Sequence, residues 1–229
     1  MMNVLNSCYT AKSPYNYSYP DASRQDSGVR VMSKDAFGYA LFTMQTGHRP
    51  MSAFSEIFEH LSSSLAPRFD NIESESGSTR RHGLEVALSD TAILMTYSLI
   101  EGFFFEEYRF YFDKDPPRGK KLEETIKELL THLRISDGQI GRDATLMASL
   151  RIARNAIAHR NGALKDDEKV EIKKQFGTDV STSLGYPVAT IPSLIEIINK
   201  AEQLISEYSE AAVRSAAQAQ PIIPPDAAR

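Results

Sequence analysis

Between Gly83 and Asp113 the chain carries Leu84, Ala87, Leu88, Ile93, Leu94, Met95, Leu99, Ile100, Phe103, Phe104, Phe105, Tyr108, Phe110, Tyr111 and Phe112. At about 100° per residue, these side chains cover most of the circumference of a single helix. A helix that is apolar on most faces is stable in water only when other helices surround it. The segment therefore predicts the central member of an all-α bundle. Its most apolar part, Thr91 to Phe105, is interrupted by Glu101 and falls short of the ~20 residues a bilayer crossing needs, so no membrane span is expected.

The remaining pattern supplies the surrounding helices. Met51 to Leu65 spaces Phe54, Ile57, Phe58, Leu61 and Leu65 as a helix that Pro67 is placed to end, and the polar run from Asn71 to Arg81 reads as a loop. After the break Pro116-Pro117-Arg118-Gly119, Lys120 to Arg134 turns Leu122, Ile126, Leu129, Leu130 and Leu133 inward and a Lys/Glu face to solvent. Ser136 to Gly141 is a turn, Asp143 stands where a helix would begin, and that helix runs to about Arg160. Asp166 to Phe176 fits a short charged helix and Gly177 to Ile191 is irregular. Pro192 to about Ala217 closes the bundle with Leu194, Ile195, Ile198, Ala201, Leu204, Ile205 and Tyr208.

Val29 to Thr46 fits short strands or a first helix equally well. The expectation is thus a bundle of about five helices over residues 48–217, preceded by a partly disordered arm over 1–47 that is rich in Ser, Tyr, Asn and Pro, and followed by a mobile tail over 218–229. A single cysteine, Cys8, offers no disulfide framework, and the first thirty residues lack the apolar run of a signal peptide. Both point to a reducing cytoplasm.

One helix carries side chains that a bundle does not need. In Leu150-Arg151-Ile152-Ala153-Arg154-Asn155-Ala156-Ile157-Ala158-His159-Arg160-Asn161-Gly162, the stripe Leu146, Leu150, Ala153 and Ile157 accounts for the core-facing side. Ala144, Ala148, Arg151, Asn155 and His159 lie opposite, a mixture of small and functional residues that suggests something packs there too. Arg154 and His159 are about 140° apart around the axis, so either the reach of the arginine or a second copy of the helix must bring them together. Asn161-Gly162 is an ordinary helix stop. It leaves His159 in the last turn, where the helix dipole favours a protonated imidazole.

The order Arg154-Asn155, three residues, His159, late in an amphipathic helix, resembles the signature of the HEPN superfamily (higher eukaryotes and prokaryotes nucleotide-binding), compact helical bundles found in bacterial toxins, anti-phage systems and RNA-guided effectors. The resemblance extends to about residues 50 to 210 as architecture and to about a dozen residues as motif. It implies a homodimeric, metal-independent endoribonuclease of toxin or phage-defence type, with Arg154 and His159 at the catalytic cleft, Asn155 positioning them, dimerisation through the motif helix, and an antitoxin or regulatory protein as a further partner. It also suggests the rival function of a non-catalytic module that binds nucleotide, RNA or a partner protein. A third possibility is a plain interaction protein in which the motif is coincidence.

The residue types suit the chemistry. Cleavage without a metal requires a proton to leave the 2′-hydroxyl, charge on the phosphate to be countered and the 5′-oxygen to be protonated. Histidine transfers protons near neutral pH, and the planar arginine fork matches phosphate oxygens. Arg151 and Arg160 are candidate substrate-binding groups, and Glu101, inside the apolar stretch of the central helix, is a candidate partner for Arg151 or Arg154.

On a chain of net charge -4, residues 142–160 hold Arg142, Arg151, Arg154 and Arg160 against Asp143 alone. A basic site on an acidic body fits a selective RNA cleft, unless acidic neighbours neutralise the arginines. His48, His60, His82, His132 and His159 are scattered without metal-ligand spacing, and no Gly-rich phosphate loop is present, so neither metal nor cofactor is expected.

Overall fold

The computed structural model describes residues 34–76, 78–136, 144–160, 163–176 and 190–219. Over these the chain forms α1 (Lys34–Thr46), α2 (Arg49–Ser76), α3 (Ser78–Phe112), α4 (Leu122–His132), α5 (Ala144–Arg160), α6 (Asp166–Phe176) and α7 (Ile191–Ala219), with no strand among the described residues. The all-α expectation holds. Helix α3 packs against α2, α4, α5 and α7, while α1 lies on α7, and α6 on α5 and α7. Ile93, Ile100 and Phe104 of α3 are wholly buried among these partners.

By length and composition alone Gly83–Phe112 could cross a membrane, contrary to the sequence estimate of its apolar length. Here four helices cover it instead. On α7, Tyr208 sets its ring edge-on to Phe103 and Phe104 at 5.8 and 5.0 Å between centroids, fixing α7 over the middle of α3.

Three segments depart from the pattern. The ambiguous stretch before residue 47 is helical from Lys34, and Ala36 and Ala40 of α1 are buried. The helical body therefore includes residues assigned to the arm, and seven described helices replace the expected five. Pro67 does not end α2, which continues to Ser76. The proline ring lies on the exposed side, so the bond it cannot donate leaves the Ser63 carbonyl to water rather than to the core. The supposed loop from Asn71 to Arg81 is helical over its described residues, 71–76 and 78–81, since its Glu and Arg residues are good helix formers. Polarity alone is no helix stop.

The observed helix ends have clear causes. Asp113 adopts a left-handed φ of 53° and closes α3 by donating its N–H to the Arg109 carbonyl at 2.9 Å. Arg134, at φ 55°, ends α4, with Ile135 N–H bonding back to Leu130 at 2.8 Å and its side chain buried. Thr190 caps α7 by accepting from the Ser193 N–H. Between α1 and α2, Gly47 is obligatory: a Cβ there would meet Phe103 at 2.6 Å and the Thr43 carbonyl at 2.7 Å. The N-terminal tyrosines, Cys8, the 137–143 turn with Asp143, Asn161-Gly162, the stretch 177–189 and the end of the tail lie outside the described residues.

Sequence reading missed Glu107. It lies on the same α3 stripe as Ile93, Ile100 and Phe104, and it is 1% exposed. The hydroxyls of Tyr39, Thr43 and Tyr208 surround its carboxyl, yet Glu107 Oε2 and the Tyr208 hydroxyl close no hydrogen bond of normal geometry. Burial pushes the Glu107 carboxyl up to about 7, only partly offset by those hydroxyls. Because the folded state favours the protonated acid, the stability this group contributes is complete below the ordinary carboxylate range and is lost as pH rises through about 7. Urea unfolding should show the native chain weakening between pH 5 and 8. Glu107→Gln should remove that slope and exceed the native chain at pH 8 by about 3 kcal/mol. Equal slopes for the two proteins would contradict this account of the core.

Candidate functional site

Helix α5 is fixed to α3 by Leu146, Leu150 and Ala153, all buried, with Met147, Ser149 and Ala156 extending the covered arc. Ile157, on the same stripe near the helix end, is half-buried. This arc leaves Arg151, Asn155 and His159 on the side away from the core. Helix α6 packs against α5, and Arg151, Asn155 and His159 line a cleft at its start.

The gap between Arg154 and His159 closes inside one chain. Arg154 reaches along the helix, donates from Nη1 to Asn155 Oδ1 at 3.0 Å, and places the same nitrogen 3.4 Å from His159 Nε2. A guanidinium N–H can only donate, so this contact is a hydrogen bond when Nε2 carries the lone pair of a neutral imidazole. Asn155 holds the guanidinium rather than the imidazole.

Beneath the guanidinium lies Tyr97 of α3, its ring centroid 5.7 Å from the Arg154 carbon. The ring is buried, and its hydroxyl is pushed up to about 12, by burial first and by Glu101 and Glu123 next. It remains a neutral platform for the cation. Tyr97 was not singled out from sequence, although it stands four residues before Glu101 on the same helix face.

Glu101 is half-buried, and burial raises its carboxyl above the ordinary range while Arg154 draws it down. Among the described residues, however, no carboxylate comes within ion-pair distance of Arg154. Glu101 faces Arg154 as a field rather than a clasp. Arg151 does not pair with Glu101 either; its Nε donates to Glu123 of α4 at 2.9 Å. Arg160 is gripped on two nitrogens by Glu168 of α6, at 2.7 and 3.1 Å. Neutralisation by acidic neighbours thus holds for Arg151 and Arg160 and fails for Arg154, and Arg142 lies outside the described residues.

Arg151, Ile152, Asn155, His159, Arg160, Lys165 and Glu168 line a cleft of about 420 Å³ between α5 and the start of α6. That volume lies within the range of small-ligand sites. Glu123, Lys165 and Glu168 belong to other helices than the motif, and no spacing along α5 could have revealed them. Among the described residues, no three His, Cys, Asp or Glu side chains gather as a metal site.

No protein-family model, curated protein or solved structure matches the chain. The site is therefore characterised by its own groups: a guanidinium with no carboxylate partner among the described residues, an imidazole touching it, and an amide joining them, beside an open cleft.

The Arg160–Glu168 pair ties α6 to α5, with Glu168 also accepting the Lys165 N–H at 2.9 Å. Arg160 holds the Glu168 carboxyl below the ordinary carboxylate range, so the stabilisation is present at neutral pH and lost as pH falls through that lowered value. A double-mutant cycle with Arg160→Ala and Glu168→Ala, read by thermal unfolding at pH 7, should give a coupling of about 1 kcal/mol. Zero coupling would mean the pair does not anchor α6.

Proposed function

We propose that the chain is an endoribonuclease of the toxin or phage-defence kind, resembling HEPN proteins, that cleaves RNA without a metal through Arg154 and His159. The observation that carries this reading is the contact of Arg154 with both Asn155 and His159 at the cleft edge, with no carboxylate on the guanidinium among the described residues. Tyr97 and Asn155 steady the guanidinium without cancelling its charge, and the imidazole beside it is exposed. Guanidinium and imidazole suit a phosphodiester.

A scissile phosphate would draw the Arg154 fork onto its oxygens, and in leaving Nε2 the guanidinium would uncover the histidine lone pair. His159 then takes the 2′-hydroxyl proton as the 2′-oxygen attacks phosphorus. The bond from phosphorus to the 5′-oxygen breaks, and the leaving oxygen takes a proton from a second imidazole or from water. Arg154 counters the charge that grows on the phosphate. The products are a 2′,3′-cyclic phosphate and a 5′-hydroxyl. A symmetric second copy, docked through the motif helix, would supply the second imidazole, and a regulatory partner would hold the activity in check.

A second reading, a non-catalytic module that binds nucleotide, RNA or a partner protein, draws support from the neutralised state of Arg151 and Arg160. Incubation with total RNA and excess chelator separates the two. The native chain should cleave, and Arg154→Ala and His159→Ala should each lose at least about a hundredfold in rate, in line with the loss of an acid–base or charge-stabilising group. Expression should arrest cell growth and His159→Ala relieve the arrest. Cleavage that requires a divalent metal, or that survives both substitutions, would overturn the ribonuclease reading.

A further inference from the structure

Lys165, at the start of α6, lines the same cleft as His159 and Asn155 and was not marked out by the sequence. Its side chain is exposed and, among the described residues, meets no carboxylate within ion-pair distance. The cleft wall therefore holds three cations, Arg151, Arg160 and Lys165, of which Glu123 and Glu168 neutralise the first two. One positive charge remains, matching the single negative charge of one phosphodiester. Ile152, half-buried against the core, gives the cleft its apolar surface.

We propose that the α5–α6 cleft is a subsite for the nucleotide adjoining the cleaved bond, with that nucleotide's phosphate on the Lys165 ammonium and its base against Ile152. This rests on the ribonuclease reading. Glu168 shapes the preference: fixed by two bonds from Arg160 and one from the Lys165 N–H, its carboxylate cancels the Arg160 charge, so a second phosphate group finds no unpaired cation on the wall. The cleft accepts one residue of a single-stranded RNA and disfavours a polyphosphate. Substituting Lys165 leaves that framework in place, because the bond to Glu168 comes from its backbone.

Binding can be separated from turnover in a His159→Ala background, using a fluorescent single-stranded RNA of about twelve nucleotides and anisotropy titrations across a salt series. Adding Lys165→Ala should weaken binding roughly threefold to tenfold and lower the salt slope by about 0.7, the signature of one lost phosphate contact on a single strand. Lys114→Ala, which removes the same charge from an exposed site just beyond the far end of α3, should change binding less than about twofold. An unchanged slope with Lys165→Ala, while the native chain still cleaves RNA, would overturn the subsite and leave the ribonuclease reading intact. Failure of the His159→Ala chain to bind RNA, together with failure of the native chain to cleave it, would overturn both.

Discussion

Along its central turns helix α3 leaves only the face of Thr91, Met95 and Ser98 to water and must bury the rest, and the other helices are arranged by that requirement. Ile93, Ile100 and Phe104 are buried from several directions by α2, α4, α5 and α7. Full burial of each such side chain is worth roughly 2 kcal/mol, so a register of α5 that uncovered them would be strongly disfavoured. Once Leu146, Leu150 and Ala153 take their places on α3, the rotation of α5 about its axis is settled. Arg151, Asn155 and His159 must then point away from the core, and Arg154 must emerge at its edge, over Tyr97. The site follows from the packing.

This dependence explains which parts were legible in the sequence. The contributions of α4 and α7 rest on strong local periodicity, and their cores agree with the spacing of Leu122, Ile126, Leu129 and Leu130, and of Leu194, Ile198, Ala201 and Tyr208. Pro67 misled because a proline is tolerated where the carbonyl it leaves unbonded faces water, and the stretch after Asn71 because polarity by itself does not stop a helix. Helix α1 was ambiguous because its buried side consists of small residues, Ala36 and Ala40, which carry little hydrophobic signal.

Within the site, the motif placed Arg154, Asn155 and His159 together, and long-range contacts decided the rest. Glu123 and Glu168 come from α4 and α6, so the silencing of Arg151 and Arg160 depended on tertiary structure. Glu101 was visible as a carboxylate in an apolar run, whereas Glu107 hid beside it in a Glu-Glu pair whose exposed member, Glu106, faces Arg109. Of the two, Glu107 is the buried one. The stripe through Ile93, Ile100 and Phe104 distinguishes them.

Together these contacts make the end of α5 a place where charge is sorted: two arginines are spent on holding α4 and α6, and one is left for a ligand, steadied by an aromatic ring and an amide. The central claim is that Arg154 and His159 act as one unit on a phosphodiester. A kinetic cycle comparing RNA cleavage by the native chain, the two single alanine variants and the double variant tests it most directly. Groups that act as a unit make the double variant about as slow as the slower single variant. Rate losses that multiply across the cycle would show two independent residues and contradict the account.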